Sequence, residues 1–160
     1  MALIYKTEKF IVEAPEKPHV DRNDGGHIKI YPKISLLDRQ KLSPKEAIEL
    51  MRLTIIVGEA MNKIMNEHGV DIGRINYQDN GNWTVFSPQG SYLHIHLYGR
   101  AKSAKVHKYG QACYFPHREE KPEYYKNFKP LNKDDIKGIR IEIKKIFKKE
   151  KFSNSNWGLV

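Results

Sequence analysis

The chain has 160 residues, of which 39% are hydrophobic and 29% charged, and 28 Lys and Arg outnumber 19 Asp and Glu to give a formal charge of +9. That balance predicts one domain with a hydrophobic core of its own, and no apolar run approaches the roughly 20 residues of a membrane helix. The lone Cys113 excludes an intrachain disulfide and, with no signal-peptide core at residues 1–6, points to a cytoplasmic protein, while the positive charge favours anionic partners.

Residues 9–13 read as a short strand, and residues 21–26 as a polar turn broken by Asn23-Asp24-Gly25-Gly26. His27 to Tyr31 alternates as a strand that Pro32 ends. Ser43-Pro44-Lys45-Glu46 is a capping box with Pro at the first helical position, and it opens a helix predicted over 44–67. Leu50, Met51, Thr54, Val57, Met61, Ile64 and Met65 recur on one side of it, a core stripe within which Gly58 allows close approach to a sheet. Gly69 stops the helix.

Three strands are predicted next, over 73–78, 83–86 and 92–100. Asn80-Gly81 supplies a hairpin turn and residues 87–90 a second turn, so these strands pair antiparallel. In the last of them, Tyr92-Leu93-His94-Ile95-His96-Leu97-Tyr98 alternates with the period of a half-buried strand. His94 and His96 then share one face, with Leu93, Ile95 and Leu97 on the other. Two adjacent imidazoles on a sheet can serve a phosphate, a metal or a covalent intermediate. As metal ligands they are only two, with no cysteine or acidic pair nearby in sequence to complete a set.

Residues 101–131 are rich in Lys, Tyr, Pro and His and show little periodicity, as expected of an extended segment that wraps the domain or covers a site. Its Lys105, Lys108, Tyr109, Tyr114 and Arg118 mix cations with aromatics, but most such stretches are solvated loops. Asn132 caps a second helix predicted over 133–149, apolar along Ile136, Ile139, Ile143 and Ile146 and basic elsewhere. The tail from Ser153 is frayed or docked through Trp157. His19, His68, His107 and His117 read as surface or packing residues, and Arg100 as a solvated strand end.

Taken in order, four pieces resemble the histidine-triad (HIT) superfamily of nucleotide hydrolases and transferases. They are Gly25-Gly26-His27-Ile28-Lys29-Ile30-Tyr31-Pro32, Leu42-Ser43-Pro44-Lys45-Glu46, Ile75-Asn76-Tyr77-Gln78-Asp79-Asn80-Gly81 and Leu93-His94-Ile95-His96-Leu97-Tyr98-Gly99-Arg100. The resemblance spans roughly residues 9 to 100. The family motif carries three alternating histidines and this chain two. Either Tyr92 stands for the first, or Tyr98 for the third. The ending Leu97-Tyr98-Gly99-Arg100 favours the first register.

The resemblance implies an α+β fold: an antiparallel sheet packed with a long helix, here as a core over 1–107. A basic extension over 108–160, carrying the second helix, is expected to pack on the same domain. It implies that His94 attacks the α-phosphorus of a nucleotide to form a nucleotidyl-imidazole, that His96 donates to the phosphate oxygens or the bridging oxygen, and that His27 supports them by hydrogen bonding. Gln78 stands where the family often has an α-phosphate contact, with Asn76 and Asn80 as competitors. Ser91 could donate to phosphate, though a turn residue bonding its own backbone is the plainer reading. Tyr92 keeps a hydrogen bond but cannot titrate near neutrality.

The expected substrates are phosphoramidates, phosphoanhydrides or adenylylated nucleotides. No cofactor is required, although polyphosphates would bring Mg²⁺. Family members are often homodimers. Two alternatives stand beside this reading: a non-catalytic nucleotide-binding module, and a nucleic-acid end-processing protein suggested by the basic second helix.

Overall fold

A computed structural model describes residues 1–79, 81–84, 87–88 and 90–160. Five strands, β1 (Ala2–Lys6), β2 (Phe10–Ala14), β3 (His27–Pro32), β4 (Ile72–Asp79) and β5 (Ile95–Ala101), form one sheet in the order β1-β2-β3-β5-β4. Every neighbouring pair is antiparallel. With helices α1 (Pro44–Glu67) and α2 (Lys133–Phe147) the fold is α+β.

Pleating sorts the side chains. Phe10, Val12, Ile28, Ile30 and Leu97 point to one face and are wholly buried. Leu53, Ile56, Val57, Ala60, Met61 and Met65 of α1 cover that face, and Ile139, Ile143 and Ile146 of α2 join the same core. Burying a side chain of this size contributes about 1.5–3 kcal/mol. The other sheet face carries His27, Lys29, Gln78 and His96, which are cross-strand neighbours: Lys29 and Gln78 both stand opposite His96.

Both helices start on reciprocal caps, Ser43 with Glu46 and Asn132 with Asp135. Gly69, at φ +82°, follows α1 in the left-handed region as expected of a helix stop. Asp135 is wholly buried and takes two guanidinium bonds from Arg22, at 2.6 and 2.8 Å, and one from His68 at 2.8 Å. This ties the start of α2 to the end of α1 and to the turn before β3. Burial raises the Asp135 pKa, but the hydrogen bonds from Arg22, His68 and the Asn132 backbone outweigh it and the net shift is downward.

Several expectations change. β1 is an additional strand, weakly signalled because only Ile4 in it is fully buried. The predicted strand over 83–86 is replaced at its start by a short 3₁₀ turn, Asn82–Thr84, and its last two residues lie outside the described ones, as does Asn80 of the hairpin turn. β5 begins at Ile95 rather than at 92, because the Leu93 amide bonds the Leu36 carbonyl at 2.7 Å instead of a sheet neighbour. α2 ends at Phe147. The tail docks: Trp157 stacks near Phe152 and its indole N–H donates to the Lys151 carbonyl at 2.8 Å.

Candidate functional site

The backbone around the Gly-His strand places His27. Gly25 and Gly99 lie so close that a Cβ on either would overlap the backbone of the other. Gly25 also sits at φ +133°, where side chains are strained. This approach, with the Gly99 amide bonded to the Gly26 carbonyl at 3.2 Å, seats His27 opposite Tyr98 on β5.

Three imidazoles then meet. The His94 and His96 rings are 4.6 Å apart and nearly perpendicular, and His27 Nε2 lies 2.8 Å from His96 Nδ1. The hydrogen bonds settle which nitrogen carries each proton. His94 Nδ1 lies 2.8 Å from the Tyr92 carbonyl, which can only accept, so Nδ1 is protonated and Nε2 keeps its lone pair. The His19 backbone amide donates to His27 Nδ1 at 3.2 Å. His27 must then carry its proton on Nε2 and donate it to His96 Nδ1, which leaves His96 with a proton on Nε2. The pair thus offers one lone pair and one N–H side by side.

Burial keeps the rings neutral. It lowers the His96 pKa to about 2, helped by His94 and His19, and drives His27 well below the ordinary value. His94 is lowered too, chiefly by burial, with its bond to the Tyr92 carbonyl acting in the opposite direction.

His19, read from sequence as a surface or packing residue, belongs to this cluster. Its ring stacks on His27 at 4.9 Å, and its Nδ1 lies 2.8 Å from the Tyr98 hydroxyl. Burial, then Arg118, lowers its pKa to about 4. The one sequence signal was its place in the connection that leads to His27.

These side chains open on a cleft of about 450 Å³ whose wall includes His19, Lys29, Gln78, Trp83, His94 and Phe115. Among the described residues lining it, the charged side chains are Lys17 and Lys29, and none is acidic. Gln78 is part of the wall, and its amide oxygen is buried with no partner among the described residues. Asn76 stands further along β4, opposite Tyr98. Asn80 lies outside the described residues. The Ser91 hydroxyl donates to the Gly81 carbonyl, ten residues earlier in the chain, at 3.0 Å. The Tyr92 ring stacks on His94 at 4.5 Å, and its hydroxyl takes a bond from Lys29 Nζ at 3.1 Å.

Arg100 is buried, not solvated: its Nη2 donates to the carbonyls of Lys108 and Gln111 at 2.9 and 2.6 Å. His107 is buried as well, and its Nε2 lies 3.2 Å from the Tyr114 carbonyl. The 101–131 segment is fastened further by the buried Asp24 carboxylate, which accepts the amides of Lys105, Val106 and His107 at 2.8–2.9 Å. It brings Phe115 to the cleft, and Arg118, which donates to the carbonyls of Lys17 and Pro18 at 2.8 and 2.9 Å, just before His19.

His19, His27 and His96 also have a spacing that could hold a metal, their nitrogens lying within 4.8 Å of one another. To ligate through Nε2, however, His27 would have to carry its proton on Nδ1, facing the His19 amide that now donates there. The bonds present suit a proton-ordered chain better than a ligand set.

No protein-family model and no curated protein matches this chain. Solved structures do. A hypothetical histidine-triad nucleotide-binding protein from Sulfolobus tokodaii is 16% identical, with TM-score 0.57 over 92% of this chain and 87% of its own. A zinc-bound histidine-triad family protein from Mycobacterium smegmatis is 17% identical, with TM-score 0.56 over 90% and 84%. A HIT-like protein involved in cell-cycle regulation from Bartonella henselae is 13% identical, with TM-score 0.56 over 88% and 85%. The sheet order, the long capped helix and the likeness to these structures together give this chain the fold of the histidine-triad proteins.

Proposed function

We propose that the cleft binds a nucleotide and transfers its nucleotidyl group through His94. The observation that carries this reading is the proton order: a neutral His94 with its lone pair on Nε2, beside a neutral His96 with an N–H. A likeness in fold to a protein described as nucleotide-binding supports the ligand class.

In the first step His94 Nε2 attacks the α-phosphorus. A P–N bond forms, and the P–O or P–N bond to the leaving group breaks with its electron pair. A phosphate departs as an anion, and an amine takes a proton from solvent. His96 Nε2–H and the Gln78 amide meet the charge that gathers on the phosphoryl oxygens. In the second step water attacks the same phosphorus, the P–N bond breaks, His94 regains its lone pair and the water proton passes to solvent. Splitting one displacement into two lowers the barrier to each. His27 holds the His96 proton in place and does not touch the substrate.

The test uses labelled phosphoramidate, dinucleoside polyphosphate and adenylylated substrates with an acid-labile phosphohistidine trap. His94→Ala is expected to lose the labelled intermediate and turnover while keeping its circular dichroism spectrum. Near-normal rates in that variant would exclude His94 as nucleophile. Tight nucleotide binding with neither intermediate nor product in the unmutated protein would make the chain a binding module instead.

A further inference from the structure

Lys29 differs from the chain's ion-paired lysines, and of the described lysines Lys121 shares its bond to a tyrosine hydroxyl but stands outside the cleft. Lys63, Lys126, Lys145 and Lys149 each stand against a glutamate. Lys29 is half-buried in the cleft wall, and its side-chain hydrogen bond goes to a neutral group, the Tyr92 hydroxyl at 3.1 Å. Its ammonium lies 5.1 Å from the Tyr31 ring centre and 5.6 Å from that of Tyr92, so two aromatic faces hold the charge. Glu13 is its cross-strand neighbour, but no ion pair joins the two among the described residues.

An ammonium has three protons to donate and nothing to accept with. One goes to Tyr92, and no acceptor among the described residues takes the Tyr92 proton or the other two of Lys29, which leaves them for a ligand. A partly desolvated cation with no ion pair among the described residues is costly, so this corner of the cleft, whose described lining holds no acidic side chain, favours a negative group. Its place is fixed by register. Lys29 stands opposite His96, and Tyr92 stacks on His94. The pair therefore flanks the two imidazoles without displacing them.

We propose that Lys29, oriented by Tyr92, is a specificity-determining residue that receives a phosphate beyond the one under attack, and so selects nucleotides whose leaving group is itself a phosphate chain. This rests on the nucleotidyl-transfer reading only for the identity of the leaving group. The anion site is built from Lys29 and Tyr92 whether or not turnover occurs.

The experiment has two arms. Tripolyphosphate binding is measured by calorimetry at fixed salt for the unmutated protein, Lys29→Met, Tyr92→Phe and Lys137→Met, the last a charge-matched control on α2 outside the cleft. Lys29→Met should weaken binding about tenfold, Tyr92→Phe by a smaller factor, and Lys137→Met not at all. In the second arm kcat/KM is compared for a dinucleoside polyphosphate and a nucleoside phosphoramidate with an uncharged leaving group. Lys29→Met should lower the first about tenfold more than the second.

Equal losses on both substrates, or equal binding losses in Lys29→Met and Lys137→Met, would overturn the assignment. Tyr92→Phe keeps the test decisive if Lys29→Met fails to fold: unchanged tripolyphosphate affinity there would also overturn it. Turnover of neither substrate, with tripolyphosphate binding still dependent on Lys29, would sink the nucleotidyl-transfer reading and leave the anion site standing.

Discussion

Mild acid should unfold this protein before most of its carboxylates titrate. Unfolding releases His19, His27 and His96 into water, where an imidazole takes up a proton near pH 6.5. In the folded state burial holds His19 to about 4 and His96 to about 2, and His27 well below its ordinary value. Between pH 6.5 and about 4 the unfolded chain therefore binds more protons than the folded one, an excess that reaches roughly three near pH 5. Their contribution to stability is intact above pH 6.5 and is lost as pH falls through that window.

Each proton changes stability by about 1.4 kcal/mol per pH unit, so three nearly titrated groups give a slope of about 4 kcal/mol per unit near pH 5. His94 and His107, also lowered mainly by burial, steepen it. Small domains have only about 5–15 kcal/mol in total, so the effect is large. Urea melts between pH 7 and 5, followed by far-ultraviolet circular dichroism, measure the slope directly. His27→Gln should reduce it by one proton's worth, about 1.4 kcal/mol per unit. A slope below about 1.4 kcal/mol per unit at pH 5, less than one proton's worth, would refute the claim that these rings are held neutral by burial.

Other outcomes follow from the same structure. Because the His94 pKa is lowered, its neutral form persists below pH 6.5; the acid limb of kcat/KM should fall below that pH wherever the protein remains folded, and a limb centred at 6.5 counts against His94 as nucleophile. Gly99→Ala places a methyl into the Gly25 backbone and should cost about 1–3 kcal/mol in chemical denaturation. Asp24→Ala strips the acceptor from three backbone amides. It should cost about 3 kcal/mol or more and speed tryptic cleavage at Lys102, Lys105 and Lys108; an unchanged cleavage rate would mean that Asp24 does not fasten this loop.

What the sequence revealed was whatever local chemistry enforces. The capping box and apolar stripe of α1 gave its bounds to the residue, since both are written within a few turns. The alternation around His96 anticipated two neighbouring imidazoles, which the structure brings to 4.6 Å of each other although His94 stands one residue before β5. His27 could be joined to them only through the family resemblance, since the Gly25–Gly99 approach that seats it is a contact between distant segments. His19 escaped for the same reason. Beyond lying in the connection that leads to His27, Pro18-His19 signals no imidazole cluster, and its position depends on Arg118, 99 residues further along the chain. Arg100 misled because a charged residue at a predicted strand end ordinarily reaches water, whereas here the loop after β5 folds back to offer it carbonyls.

The His19 amide has a consequence for anyone dissecting this protein by mutation. The nitrogen that dictates where two successive rings keep their hydrogens belongs to the main chain, so truncating the side chain to alanine leaves that instruction in place. His19→Pro, which abolishes the N–H itself, would let His27 and His96 exchange tautomers. An alanine survey of the histidines would register the ring at position 19 and pass over the part of that residue on which the proton placement in His27 and His96 depends.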